Sequence, residues 1–121
     1  RELRKFGRVN GEYKVGAGDY KKYDGHEQPA IHNETLDIIN AWYGYKDEYG
    51  TKIMTFLWAE ITNSKHHFCN ELIEWSNSMP SGNPMTAIIN TMNNNIYFRC
   101  SWIILGNPIY DFNTHVYFVG L

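Results

Sequence analysis

The sequence predicts an α+β fold, an antiparallel sheet packed on helices. Three features predict it. The stretch Glu12 to Asp19 alternates at period two, three later stretches carry helical stripes or caps, and strand-like segments recur at Lys65–Ser76 and His115–Val119. Composition agrees with one globular domain: of 121 residues, 43% are hydrophobic, 16% aromatic and 20% charged. This is too apolar for a disordered tail and too short for two domains. Lys and Arg number 11 against 13 Asp and Glu, a net charge of -2, which disfavours a free-standing nucleic-acid binder. Two cysteines are too few for a disulfide scaffold and suit a reducing compartment. No apolar run approaches the roughly 20 residues of a membrane helix, and no signal peptide opens the chain. The chain begins at Arg1 and closes at Leu121 within an apolar run, so a piece of a longer protein is expected.

Each element has a local reason. Tyr13, Val15, Ala17 and Asp19 share one strand face, and Gly16 and Gly18 on the other leave room for close packing. Tyr20 to Pro29 is polar, with Gly25 and Pro29 as breakers, and reads as a turn. Asn33 caps a helix whose apolar positions are Leu36, Ile39, Ala41 and Tyr43, stopped by Gly44. A second helix, from about Asp47 to Thr62, carries the stripe Ile53, Met54, Leu57, Trp58 and Ile61. Lys65 to Ser76 reads as a hairpin around Asn70-Glu71. Asn83 and Pro84 start a long helix from Met85 to about Leu105, ended by Gly106-Asn107-Pro108. His115 to Val119 reads as a last strand.

Two constellations could carry chemistry. Asp19 and Asp24 place one carboxylate at a strand end and one in the turn after it, where oxygen ligands can hold a hard cation. Alone, that spacing is more often two turn-favouring aspartates. The run Pro80-Ser81-Gly82-x3-Thr86-x3-Asn90 joins a flexible loop to a helix start. Thr86 and Asn90 lie four apart on one helix face, a hydroxyl and an amide suited to a sugar hydroxyl. Five such specified positions arise by chance in roughly one chain in ten thousand.

Together these residues resemble the viral RNA-dependent RNA polymerases of the picornavirus-like group, on the dicistrovirus and iflavirus side. Gly18-Asp19-Tyr20-Lys21-Lys22-Tyr23-Asp24-Gly25 looks like motif A, within about 15–25. Met79-Pro80-Ser81-Gly82-Asn83-Pro84-Met85-Thr86-Ala87-Ile88-Ile89-Asn90 looks like motif B, within about 79–94, 62 positions from Asp19 to Ser81. The resemblance implies one partial domain over 1–121, part of the polymerase palm. It also implies template-directed ribonucleotide transfer by a two-metal mechanism with Mg²⁺ or Mn²⁺. Asp19 and Asp24 match the catalytic carboxylates, Asp19 with the Tyr20 backbone carbonyl on the metals. Asp24, Asn90, Thr86 and Ser81 match the ribose-reading set, and Gly82 the hinge of a loop that moves with nucleotide entry. The implied partners are RNA template and primer, ribonucleoside triphosphates and other viral replication proteins, in cytoplasmic replication complexes with no membrane segment of its own.

The family's Gly-Asp-Asp motif C is absent, since no Asp-Asp pair occurs in the sequence. The strand at His115–Val119 looks like the one leading into it, so the isolated chain is expected to be inactive, with an exposed sheet edge near Asp19 and marginal solubility. The alternative is a non-catalytic RNA-binding or interaction module derived from a viral segment. A reverse transcriptase is disfavoured, because the Asp24/Asn90 pair suits a ribose. Lesser candidates have ordinary structural explanations. His66, His67 and Cys69 lack a fourth zinc ligand, Lys21 and Lys22 suit a solvated turn, and Trp42, Tyr43 and Tyr45 suit packing. Asn33-Glu34-Thr35 matches a glycosylation sequon, which in a cytosolic enzyme is chance.

Overall fold

The computed structural model describes residues 8–21, 23, 27–44, 47–76, 79 and 82–119. In order, these form a hairpin of β1 (Arg8–Val9) and β2 (Glu12–Tyr13), then helices α1 (Pro29–Tyr43) and α2 (Glu48–Thr62). A second hairpin follows, β3 (Lys65–Phe68) and β4 (Glu71–Glu74), then the long helix α3 (Thr86–Ile104). A 3-10 turn at Ile109–Asp111 leads into the short α4 (Phe112–His115). The fold is α+β, as expected. Its strands form two separate antiparallel pairs, β1 with β2 and β3 with β4.

Helix ends follow backbone chemistry. Pro29 occupies the first turn of α1, and the extended Gln28 before it accepts from the amides of Ile31 and His32. The helix therefore starts four residues before Asn33. Pro29 starts the helix because its fixed φ suits the first turn and its missing N–H is not needed there. Gly44 ends α1 at φ 63°, the left-handed conformation that favours glycine, with its amide on Asn40 O. Asp47 caps α2 by accepting from the Gly50 amide. Asn83 does not cap α3: the helix starts at Thr86, its cap position is Met85 with no side-chain cap bond, and Asn83 Oδ1 instead accepts from Met85 N at 2.8 Å in the turn just before it.

Two expected strands differ. Of the Glu12–Asp19 stretch only Glu12–Tyr13 enters a ladder, paired with Arg8–Val9. A strand needs a hydrogen-bonding neighbour along its whole length, and among the described residues none runs beside 14–19. Nothing lies within 4 Å of a Cβ built at Gly16 or Gly18, so no close packing occurs there. His115 ends α4, and Val116 turns extended (φ -120°, ψ 124°) with no strand beside it among the described residues. Aromatic contacts hold this region against α3 instead. Trp102 meets Phe112 edge-on at 5.9 Å and its indole donates to Pro108 O, while Arg99 lies 4.5 Å over the Phe112 ring.

The hydrophobic core gathers Leu36 of α1, Trp58 of α2, Met79 and Ile89 of α3, with Ile39, Met54 and Ile61 packed against it. The α2 stripe is thus divided: Met54, Trp58 and Ile61 face the core, while Ile53 and Leu57 are exposed. Ile89 is fully enclosed. Ile89→Ala should therefore cost about 2–5 kcal/mol of unfolding free energy in urea titration. Ile104→Ala, at an exposed position of the same helix, should stay within about 0.5 kcal/mol.

Candidate functional site

The segment after Asp19 and helix α3 meet through a repeating set of polar contacts. On α3, Thr86, Asn90, Asn93 and Tyr97 follow at steps of four, three and four, one stripe down the helix. The lower half of that stripe faces the segment directly. Asn93 Nδ2 donates to Glu27 Oε1 at 3.1 Å, and the Gln28 amide donates to the Tyr97 hydroxyl at 3.1 Å. Consecutive residues of one segment thus engage consecutive turns of the other. Thr86 and Asn90 sit about 10 and 5 Å above Asn93 along the same face.

Glu27 is the centre of these contacts. Its side chain is 1% exposed and that of His32 is 3% exposed. His32 Nε2 donates to Glu27 Oε2 at 3.0 Å, and the Met79 amide donates to the same oxygen at 3.1 Å. Thr35 completes the group by donating its hydroxyl to Asn93 Oδ1 at 2.6 Å, with both residues fully buried. Sequence reasoning placed none of these four polar residues in the site; Thr35 entered that reasoning only as part of a chance sequon. One signal was available: Asn93-Asn94-Asn95 stands in a helix interior, where asparagine is a poor former unless its amide is used.

The expected site residues fall in three groups. Asp19 is exposed, and Tyr20 is 46% exposed with its ring 5.1 Å from that of Tyr23. Gly82, Thr86 and Asn90 lie at the loop and first turns of α3. Gly82 has φ 99° and open space around its α-carbon, so the residue is required by backbone conformation and not by close approach. Asn90 is half-buried, and its Oδ1 is enclosed without a hydrogen-bond partner among the described residues. An enclosed amide oxygen of this kind can accept from a ligand hydroxyl. Asp24 and Ser81 lie outside the described residues.

Among the described residues no three His, Cys, Asp or Glu side chains converge on a possible metal. These residues therefore do not complete a cation site. The same holds at the β3–β4 hairpin: His66 turns onto Trp75 at 5.9 Å and bonds Ser64 Oγ, while His67 is exposed. No described helix is long and apolar enough to cross a membrane.

A cleft of about 310 Å³ opens beside the segment, lined by Tyr20, Lys21, Tyr23, Gln28, Tyr97 and Ser101. Burial, followed by the neighbouring Glu27 carboxylate and Tyr97, pushes the Tyr23 phenol well above its ordinary range. The fold therefore favours the neutral phenol. That contribution is complete below about pH 10, where the unfolded tyrosine is also neutral, and is lost as pH rises above it. Thermal unfolding should show a fall in Tm above about pH 10, and Tyr23→Phe should make that fall shallower.

Comparison with known proteins agrees with the family resemblance. The family model described as viral RNA-dependent RNA polymerase matches residues 4–116. The chain is 35% identical over 88 residues to the genome polyprotein of rice tungro spherical virus (strain A), covering 72% of this chain and 2% of the polyprotein. It is 30% identical over 104 residues to the replicase polyprotein of cricket paralysis virus, covering 79% of this chain and 6% of that protein. It is 31% identical over 94 residues to the genome polyprotein of human hepatitis A virus genotype IB, covering 76% and 4%. The chain thus spans a few per cent of the length of these relatives. No solved structure matches it. With the family model covering nearly the whole chain and relatives of 30% identity or more over most of it, the chain belongs to the viral RNA-dependent RNA polymerases of the picornavirus-like group.

Proposed function

We propose that this chain is the part of a viral RNA-dependent RNA polymerase palm that receives the incoming ribonucleotide and reads its ribose. The parent enzyme transfers ribonucleotides onto a primer under direction of an RNA template, within cytoplasmic replication complexes that contain other viral proteins. The observation that carries the reading is the polar stripe of α3. It meets the segment following Asp19 at Asn93 and Tyr97, and it also bears Thr86 and the enclosed Asn90 Oδ1, which has no hydrogen-bond partner among the described residues.

In this reading Asp24, Asn90, Thr86 and Ser81 form the ribose-reading set. A buried amide and carboxylate that hydrogen-bond a 2′-hydroxyl discriminate strongly against a sugar lacking it, because both would be left unpaired. Gly82 supplies the left-handed turn that lets the loop reach α3. Asp19 and the Tyr20 carbonyl would contribute oxygen ligands to a Mg²⁺ or Mn²⁺ pair. Bound ions of that kind stabilise the attacking and leaving oxygens of an in-line displacement. In this reading Asp19 contributes one carboxylate of the ligand set; among the described residues no three such side chains converge.

Two measurements test the reading. The purified 121-residue chain should give no templated nucleotide incorporation, and detectable incorporation would overturn the expected inactivity. In an active polymerase carrying this segment, Asn90→Ala should lower the preference for ribo- over deoxyribonucleotides about 10- to 100-fold, the loss of one or two buried hydrogen bonds. Asp19→Ala should abolish incorporation there. An unchanged ribose preference in the first variant would remove Asn90 from the site.

A further inference from the structure

We propose that Glu27 is a positioning residue: its buried carboxylate fixes both the root of the glycine loop and the rotation of α3, and so sets where Gly82, Thr86 and Asn90 stand. The inference rests on the ribose-reading function proposed above.

Three observations carry it. First, one carboxylate takes three donors, one from five positions on and two from far along the chain. These are His32 of α1, the Met79 main chain 52 positions on, and Asn93 of α3, 66 positions on. Second, the loop that holds Gly82 is tied at both ends. Met79 is 1% exposed with its amide on Glu27, and Asn83 Oδ1 holds the Met85 amide in the turn that leads into α3. Between these ties Gly82 takes its positive φ. Third, Asn93 is held in one orientation. Its oxygen takes the Thr35 hydroxyl, so its NH₂ group must face Glu27, which fixes the angular position of the stripe that bears Asn90 one turn earlier.

A carboxylate enclosed to this degree is costly unless its acceptor capacity is used. Here two oxygens meet three N–H donors, so removal leaves three buried donors unpaired. The chemistry also predicts which replacement works. A glutamine side chain at position 27 keeps one oxygen for His32 and Met79, and its NH₂ can donate to Asn93 if that amide flips. The Thr35 hydroxyl then accepts where it formerly donated. Leucine at position 27 offers none of these contacts.

The first test is residue-resolved amide exchange in the 121-residue chain, comparing Met79 with Ile89, whose amide bonds Met85 O within the same region. Glu27→Leu should speed Met79 exchange at least tenfold relative to Ile89, while Glu27→Gln keeps the ratio within about threefold of the parent value. The core variant Leu36→Ala should move both amides together. If Glu27→Leu does not fold, Glu27→Asp substitutes for it. Its carboxylate is one methylene short and cannot reach His32, Met79 and Asn93 together, so the Met79 ratio should rise at least tenfold there and not in Glu27→Gln. Met79 and Ile89 changing in step in these variants would overturn the proposal.

The second test is the ribo/deoxy ratio of kcat/KM in an active polymerase carrying the segment. It should fall about tenfold or more with Glu27→Leu, recover with Glu27→Gln, and stay unchanged with Leu36→Ala. An unchanged ratio alongside a lost Met79 amide bond would overturn the positioning role. A polymerase whose ribose preference ignores Asn90 as well would instead overturn the ribose-reading function, leaving the amide-exchange result to decide the clamp by itself.

Discussion

A buried carboxylate has few tolerable environments, and that constraint organises this protein. Glu27 sits beneath the surface between two helices and a loop, where an unpaired charge would cost several kcal/mol. The fold answers with His32, Asn93 and the Met79 main chain, each from a different part of the sequence. The partners are themselves held, Asn93 by Thr35 and His32 by its edge contact with Trp58 at 6.1 Å. The polar group and the apolar core are therefore one unit: Met79 and Ile89 fill the core, and the main chain of one and the helix of the other serve the carboxylate.

This arrangement explains how a domain with a small apolar core holds its functional elements in register. Hydrophobic contacts are non-directional and tolerate sliding. Hydrogen bonds to a carboxylate fix distance and angle. Much apolar surface remains uncovered, including Trp42, Phe56, Leu72 and Leu105. The exposed side chains of the β3–β4 hairpin and of the end of α3 show that burial alone does not determine where α3 lies. The glycine loop gains most from the polar contacts, since its conformation depends on Gly82 at positive φ between two tethered ends.

The helices were largely legible in the residues. Gly44 and Asp47 mark ends through local backbone chemistry, and the hairpin at Lys65–Glu74 pairs in register around a two-residue turn, with Cys69 at φ 55°. Pro29 was misread as a breaker because the same ring that interrupts a helix interior favours its first turn. The strands at 14–19 and 115–119 were misread for a different reason. Alternation reports what a strand would bury but not whether a neighbour exists to complete its ladder. Of the candidate site, motif pattern singled out Asp19, Tyr20, Asp24, Ser81, Gly82, Thr86 and Asn90. Glu27, His32, Thr35 and Asn93 have no spacing that links them and were not singled out as site residues.

The sequence by itself determined the family, the helix boundaries set by caps and glycines, and the α3 positions that share a face. These depend on interactions between residues a few positions apart, or on motif order along the chain. Only the tertiary structure decided which residues meet at Glu27, because its contacts span 52 and 66 positions and involve a main-chain amide that carries no side-chain signature. It also decided that Gly82 serves conformation and that Asn90 keeps an enclosed oxygen free of partners among the described residues. The physical reason is common to both. A backbone torsion, or the satisfaction of a buried polar atom, is a property of everything that surrounds it in space.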